Sequence, residues 1–206
     1  LRAVRYEQRF GFRLEASTEK LLRRNVAMLR TISADRIRHE LELILKEEHP
    51  EKALKRAGAL GLLGEVHPAL DGDGWLKRMF EKARESATPP SPALYFALLT
   101  YRSSPPECED FISRLKVPGT VSRVIRDTAR LRERLPSLES PDLPPSAISG
   151  LLEEYSPASV QAWLIAADSP LVQERLGLYL TRWRHVRTGL DGVALQELGV
   201  PSGRGA

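Results

Sequence analysis

Four times in this chain a Ser-Pro pair stands directly before an apolar run: Ser91-Pro92, Ser104-Pro105, Ser156-Pro157 and Ser169-Pro170. A serine at the N-cap can accept a hydrogen bond from a backbone N–H that the helix leaves unpaired. Proline suits the next position, because its missing N–H would have no intrahelical partner there. At Ser104 the pattern extends to Ser-Pro-Pro-Glu, and Glu107 stands at the spacing of a capping box. The run SADRIRHELELIL adds another start, with Asp35 in the first turn and Ile37, Leu41, Ile44 and Leu45 on one face. No stretch sustains a period of two, and no Asn-Gly or Asp-Gly pair joins two β-branched runs. The spacing of breakers predicts an all-α protein, an irregular, elongated array of about ten to twelve helices with short loops. No fixed-period repeat supports a solenoid. The stretch LPSLESPDLPPS (135–146) carries four prolines. It reads either as a linker between two helical lobes or as a long interhelical loop.

A chain of 206 residues can build a substantial core. Its longest apolar runs, ALYFALL (93–99) and AWLIAA (162–167), fall far short of a membrane span. No membrane partner is expected, and no basic-then-apolar secretion leader is visible. The single cysteine, Cys108, excludes an internal disulfide and a zinc site built on several cysteines, and points to a reducing cytoplasm. His39, His49, His67 and His185 lack metal-ligand spacing, so no metal site is expected. Charge is uneven: residues 1–60 hold 14 Lys+Arg against 9 Asp+Glu, and residues 61–206 hold 17 against 18. A polyanionic partner would meet the first third. A net charge of +4 also suits a merely soluble domain.

The stretch Asp71-Gly72-Asp73-Gly74 pairs two carboxylates, but between two helices it reads as a solvated turn rather than a magnesium site. No nucleophile elbow, Walker loop or dinucleotide fingerprint is present, and nothing here looks catalytic. Two arginine rows remain. Arg2, Arg5 and Arg9 follow i, i+3, i+7 at the start of LRAVRYEQRFGF; Arg123, Arg126, Arg130 and Arg134 follow i, i+3, i+7, i+11 later. Each row occupies one helical stripe. Each reads either as a solvated face or as a set of phosphate contacts, and for the second row the contacts would be to RNA. A third basic group, Arg182, Arg184 and Arg187 around Trp183, admits the same two readings.

LRAVRYEQRFGF, followed by the serine-led Asp35-Arg36-Ile37-Arg38-His39-Glu40, resembles the neck of class II tRNA nucleotidyltransferases, the CCA-adding enzymes and bacterial poly(A) polymerases. Aspartate stands here for the glutamate usual in that family. GLLGEVHPAL (61–70) is similar to the turn that follows, and TGLDGVALQELGVPSG (188–203) to part of the family's tail, although Val193-Ala194 replace Asp-Leu.

The resemblance implies a neck over residues 1–70, body helices over 71–140 and body and tail helices over 141–206. The catalytic head, with its two metal-binding aspartates, is expected upstream of Leu1. The implied parent activity transfers CMP or AMP to the 3′ end of tRNA, with Mg2+ and ATP or CTP engaged by the head; the fragment alone is expected to be inactive and to hold no cofactor. Arg2 and Arg5 match arginines counted among the family's nucleotide contacts, and Arg36 and Glu40 match a helix that buttresses them. Arg9 and Arg13 have no counterpart. The competing expectation is a stand-alone, non-catalytic helical module that binds RNA or protein. Whether the parent adds CCA, CC, A or poly(A), and its oligomeric state, are open.

Overall fold

The computed structural model describes residues 1–86 and 89–186. Thirteen α-helices lie among them: α1 (Arg2–Phe10), α2 (Ala16–Arg24), α3 (Ala34–Leu45), α4 (Pro50–Ala59), α5 (Leu62–Val66), α6 (Gly74–Glu85), α7 (Pro92–Leu99), α8 (Pro105–Leu115), α9 (Gly119–Leu131), α10 (Leu135–Leu138), α11 (Pro145–Leu152), α12 (Pro157–Ala166) and α13 (Pro170–Thr181). Eleven have seven residues or more. The two shorter ones, α5 and α10, do not complete the turns over which apolar periodicity shows. No strand occurs among the described residues.

All four Ser-Pro pairs open helices, with proline in the first turn of α7, α8, α12 and α13. The Ser91 and Ser169 hydroxyls accept hydrogen bonds from the Leu94 and Val172 N–H groups. At Ser104 the Glu107 carboxylate accepts from the backbone N–H at 2.7 Å, one arm of the capping box. Ser156 works differently: its N–H donates to Asp127 Oδ2 of α9 at 2.8 Å, so this helix start is anchored by tertiary contact.

The two longest apolar runs are the two central helices. Helix α7 buries Leu94 through Leu99 and α12 buries Val160, Ala162, Trp163 and Ile165, because each has protein on several sides. Helix α12 joins two hydrophobic clusters. Ala162 and Ile165 belong to the larger, built on α1 and α3–α9; Trp163 belongs to the smaller, built on α10–α13 and the end of α9. The Trp163 indole N–H donates to the Thr128 carbonyl at 2.8 Å, which fixes α12 on α9. Ile37, Leu41, Ile44 and Leu45 are all buried, as the pattern of α3 predicts. At about 1.5–3 kcal/mol for each such side chain, this face alone can hold α3 in place.

The proline-rich stretch 135–146 is packed: Leu138 of α10 is fully buried, and the buried Arg175 of α13 donates to the carbonyls of Leu138, Ser140 and Pro141 at 2.6, 2.7 and 3.0 Å. In the Asp71–Gly74 turn, Asp71 is exposed, but Asp73 caps α6 through Leu76 N–H and takes Arg102 at 2.7 Å. Gly72 is required for a different reason than turn conformation. A Cβ there would stand 2.3 Å from the Leu54 carbonyl oxygen, so the turn lies directly on α4. His67 is a satisfied core residue: Nδ1 accepts from Ala69 N–H and Nε2 lies 3.0 Å from Asp110. Burial pushes the Cys108 thiol up to about 11, which leaves it inert at neutral pH. No helix among the described residues is long and apolar enough to cross a membrane. Arg187 and the tail-like segment 188–203 lie outside the described residues.

Candidate nucleic-acid interface

Helix α1 is inside out. It buries Val4 together with Arg5 and Glu7, and it exposes the rings of Tyr6 and Phe10. Buried charge and exposed aromatic surface are the two placements that chain folding alone does not favour.

The buried charges are held by two separate arrays. On one side the arginine row meets carboxylates of α3 and the turn after it. Arg2 Nε and Nη2 donate to Glu40 Oε1 at 2.8 and 2.5 Å. Arg5 Nη1 donates to Glu47 Oε1 at 3.0 Å, and Arg9 Nη1 lies 3.7 Å from the same oxygen. Arg5 Nε and Glu40 Oε2 face each other at 3.8 Å, and neither has a hydrogen bond. Glu40 and Glu47 are seven residues apart, two turns at helical pitch, so they match the rise of the arginine row. Three guanidinium groups thus share two carboxylates, which offsets much of their mutual repulsion.

On the other side Glu7 accepts from Arg56 Nε at 2.8 Å, from Arg56 Nη2 at 3.1 Å and from Leu14 N–H at 3.1 Å. The hydrogen bonds from Arg56 hold its carboxyl below the usual carboxylate range despite burial. Arg56 also donates to Glu19, which takes Arg23 in turn, so the chain of charges ties α1 to α4 and α2.

Arg2, Arg36 and Glu40 line one cleft of about 480 Å³ together with Leu29, Ile32 and His39. Arg36 is exposed, and its side chain makes no hydrogen bond or ion pair among the described residues. Arg5 opens instead onto a second cleft of about 470 Å³ with Arg9, Lys46, Glu47, His49 and Lys52. Glu47, Lys46 and Lys52 escape a reading of the sequence. Glu47 lies 42 residues from Arg5, and no local pattern marks it.

The row on α9 lies in a different setting. Arg123, Arg126 and Arg130 are exposed on the face of α9 away from Val124 and Ile125, and exposed Arg134 follows in the 3-10 turn after its end. Each has an acidic partner: Arg126 meets Glu109 of α8 at 2.6 Å, Arg130 and Arg134 share Glu154 at 3.0 and 3.7 Å, and Arg123 lies 3.6 Å from Asp127. Arg182 and Arg184 are exposed, while Trp183 packs against the smaller hydrophobic cluster. No group of three His, Cys, Asp or Glu side chains among the described residues can hold a metal ion.

These features define an all-helical module with a charged, partly aromatic N-terminal face. Residues 11–73 match the family described as "Probable RNA and SrmB- binding site of polymerase A". The A-adding tRNA nucleotidyltransferase of Geobacter sulfurreducens is 30% identical across 98% of this chain and 25% of that protein. The CCA-adding enzyme of Lactiplantibacillus plantarum is 40% identical over 63 residues, 31% of this chain and 14% of that one. Among solved structures, the CCA-adding enzyme of Thermotoga maritima complexed with tRNA superposes with a TM-score of 0.75 at 22% identity, over 98% of this chain and 52% of that chain. A CCA-adding enzyme with CTP gives 0.74 at 22% identity over 98% and 51%. The chain belongs to the tRNA nucleotidyltransferase family, and it spans from a quarter to about half of the length of those relatives that it matches nearly end to end.

Proposed function

We propose that this chain is the nucleotide-selecting and RNA-holding helical part of an enzyme that adds CMP or AMP to the 3′ end of tRNA in a reducing cytoplasm. The observation that carries the reading is the inversion of α1, which buries Arg5 and Glu7 in ion pairs and presents Arg2 and two rings outward. The RNA-binding family match over residues 11–73 and the tRNA and CTP complexes of fold neighbours support it.

In this reading Arg2 and Arg5 both serve nucleotide recognition. The Arg2 side chain is 67% exposed, and with Nε and Nη2 held by Glu40 it has Nη1 left to donate to a phosphate or base edge. Arg5, 7% exposed between Glu40 and Glu47, sets the pitch of α1 on α3 and so aims Arg2. Glu40 is the buttress, and Arg36 lines the same cleft as an open cation. The α9 row is a second and weaker RNA contact, since each of its arginines must give up a carboxylate to take a phosphate. Magnesium and the triphosphate chemistry would be held by residues other than the described ones, which supply no metal ligand set.

The test is tRNA binding by the 206-residue chain across a salt series. Affinity should fall steeply between about 50 and 200 mM salt as phosphate contacts are screened. No binding at low salt, or binding indifferent to salt, would sink the RNA-holding part. In a full-length protein carrying this region, Arg2→Ala should lower kcat/KM for the nucleotide by roughly tenfold or more, and unchanged kinetics would remove Arg2 from the site.

A further inference from the structure

Six of the seven large apolar side chains exposed among the described residues fall between Tyr6 and Ile32, inside the third of the chain that holds the excess of positive charge. Three of them form a continuous set of rings. Tyr6 and Phe10 are one helical turn apart on α1, with centroids 5.7 Å apart. Gly11 then ends the helix in the left-handed conformation, φ 69°, where a side chain is strained. That turn brings Phe12 back beside Phe10, with centroids 6.5 Å apart and planes only 12° from parallel. Phe10 is 64% exposed and Phe12 45%. Two nearly parallel, solvent-facing rings are costly to leave wet, and nothing in the ion-pair arrays of α1 requires them.

The groups around the rings say what they suit. The Arg5 guanidinium lies 4.6 Å from the Tyr6 ring centre and that of Arg9 lies 5.5 Å from Phe10. Exposed Arg13 follows Phe12 directly and has no ionic partner among the described residues. Arg9 also lines the 470 Å³ cleft, where exposed Lys46 and Lys52 are likewise without acidic partners. An apolar protein surface seated here would desolvate these cations at a cost. A ligand with flat apolar faces and a string of negative charges meets both demands at once, and that is the chemistry of an unpaired RNA strand.

We propose that Tyr6, Phe10 and Phe12 are a stacking platform for unpaired nucleobases, and that Arg9, Arg13, Lys46 and Lys52 hold the phosphates of the same strand. The proposal rests on the RNA-holding reading above and deepens it, from tRNA in general to a single-stranded end. Bases stack on the outer faces of Phe10 and Phe12, and the backbone runs past Arg9 toward the basic cleft.

The experiment compares two labelled RNA hairpins with the same stem, one blunt and one with a short unpaired 3′ extension, by fluorescence anisotropy with the whole chain. The extended hairpin should bind about five- to a hundredfold tighter, the range that one stacked base commands. Phe10→Leu should erase that advantage while leaving the blunt hairpin's affinity unchanged, and Phe10→Trp should keep it. Because Phe10 is exposed, circular dichroism should show the same fold in both variants, and Phe12→Leu serves as a second probe at a separate position. An advantage that survives Phe10→Leu and Phe12→Leu overturns the platform and leaves the RNA-holding reading standing. If neither hairpin nor tRNA binds at low salt, that reading falls and the platform with it.

Discussion

The two arginine rows have almost the same spacing, but only the first holds a buried arginine. On α1, Arg5 is 7% exposed at its side chain, and its carboxylate partners are 13% and 19% exposed. In the second row every arginine is at least 46% exposed and the glutamates it meets 44% or more; only Asp127, beside Arg123, is buried. Spacing tells which residues share a stripe; it says nothing about what lies across from that stripe. Burial decides the energetics. A half-exposed pair is screened and contributes at most about 1 kcal/mol, whereas a buried charge must keep its partner because water no longer replaces it. Arg5 is therefore a rigid fixture, whereas Arg2, Arg9 and the second row are exchangeable.

The sharpest way to break that contrast is Arg5→Met, which keeps most of the volume and deletes the charge. It leaves Glu40 and Glu47 without their shared cation, with Arg2 and Arg9 as partial compensation, and should cost about 3 kcal/mol of stability. A urea denaturation with unchanged slope and a lower midpoint would show it. A loss below about 1 kcal/mol would put Arg5 in the same class as the α9 arginines.

The second array on α1 gives a test with a pH signature. Hydrogen bonds from Arg56 depress the Glu7 carboxyl, so its contribution is fully present above the unfolded value near 4.3 and fades as pH falls through the folded one. Glu7→Gln should destabilise the chain by about 2 kcal/mol at neutral pH, the scale of hydrogen bonds to a charged group. The gap between wild type and variant should close progressively below about pH 4. A gap that stays constant down to pH 3 would mean that packing rather than charge is at work.

How much of this was legible in the sequence follows from where each cause lies. The helix starts at Ser91, Ser104 and Ser169 were readable because the serine, the proline and the serine's hydrogen-bond partner sit within four residues. The buried face of α3 was readable because its period is local. Arginine spacing was readable as well, but its meaning was not, because Glu47 and Glu154 lie 42 and 24 residues from the arginines they meet. The same holds for Gly72, fixed by the Leu54 carbonyl, and for Arg175, which looks like an ordinary helical arginine until it is found clamping three carbonyls. Within the candidate site, the sequence places Arg2 and Glu40 at one cleft and misses the basic cleft beside it.

On the α9 side the expected effects are small. Arg126→Ala removes a well-formed pair with Glu109, yet both groups are about half exposed. It should cost less than about 1 kcal/mol, and the difference should vanish at about 1 M salt, where the screening length shrinks to about 3 Å. A larger, salt-resistant loss in thermal or urea unfolding would show that the row is structural.

The smallest effect separates the rows as RNA contacts. The four arginines of the second row, three on α9 and Arg134 just after it, face three carboxylates, Glu109, Asp127 and Glu154, so a phosphate strand meets a residual charge of about one. Lys46 and Lys52 beside α1 have no such partners and present both charges in full. Each phosphate neutralised adds about 0.7 to 0.9 to the slope of log affinity against log salt. Replacing Lys46 and Lys52 by glutamine should therefore lower that slope by about 1.4 to 1.8. Replacing all four arginines of the second row should lower it by no more than about one, although it removes twice as many cations. A drop of three or four on the α9 side would mean that RNA strips the glutamates away completely, and that the exchangeable row is the main contact.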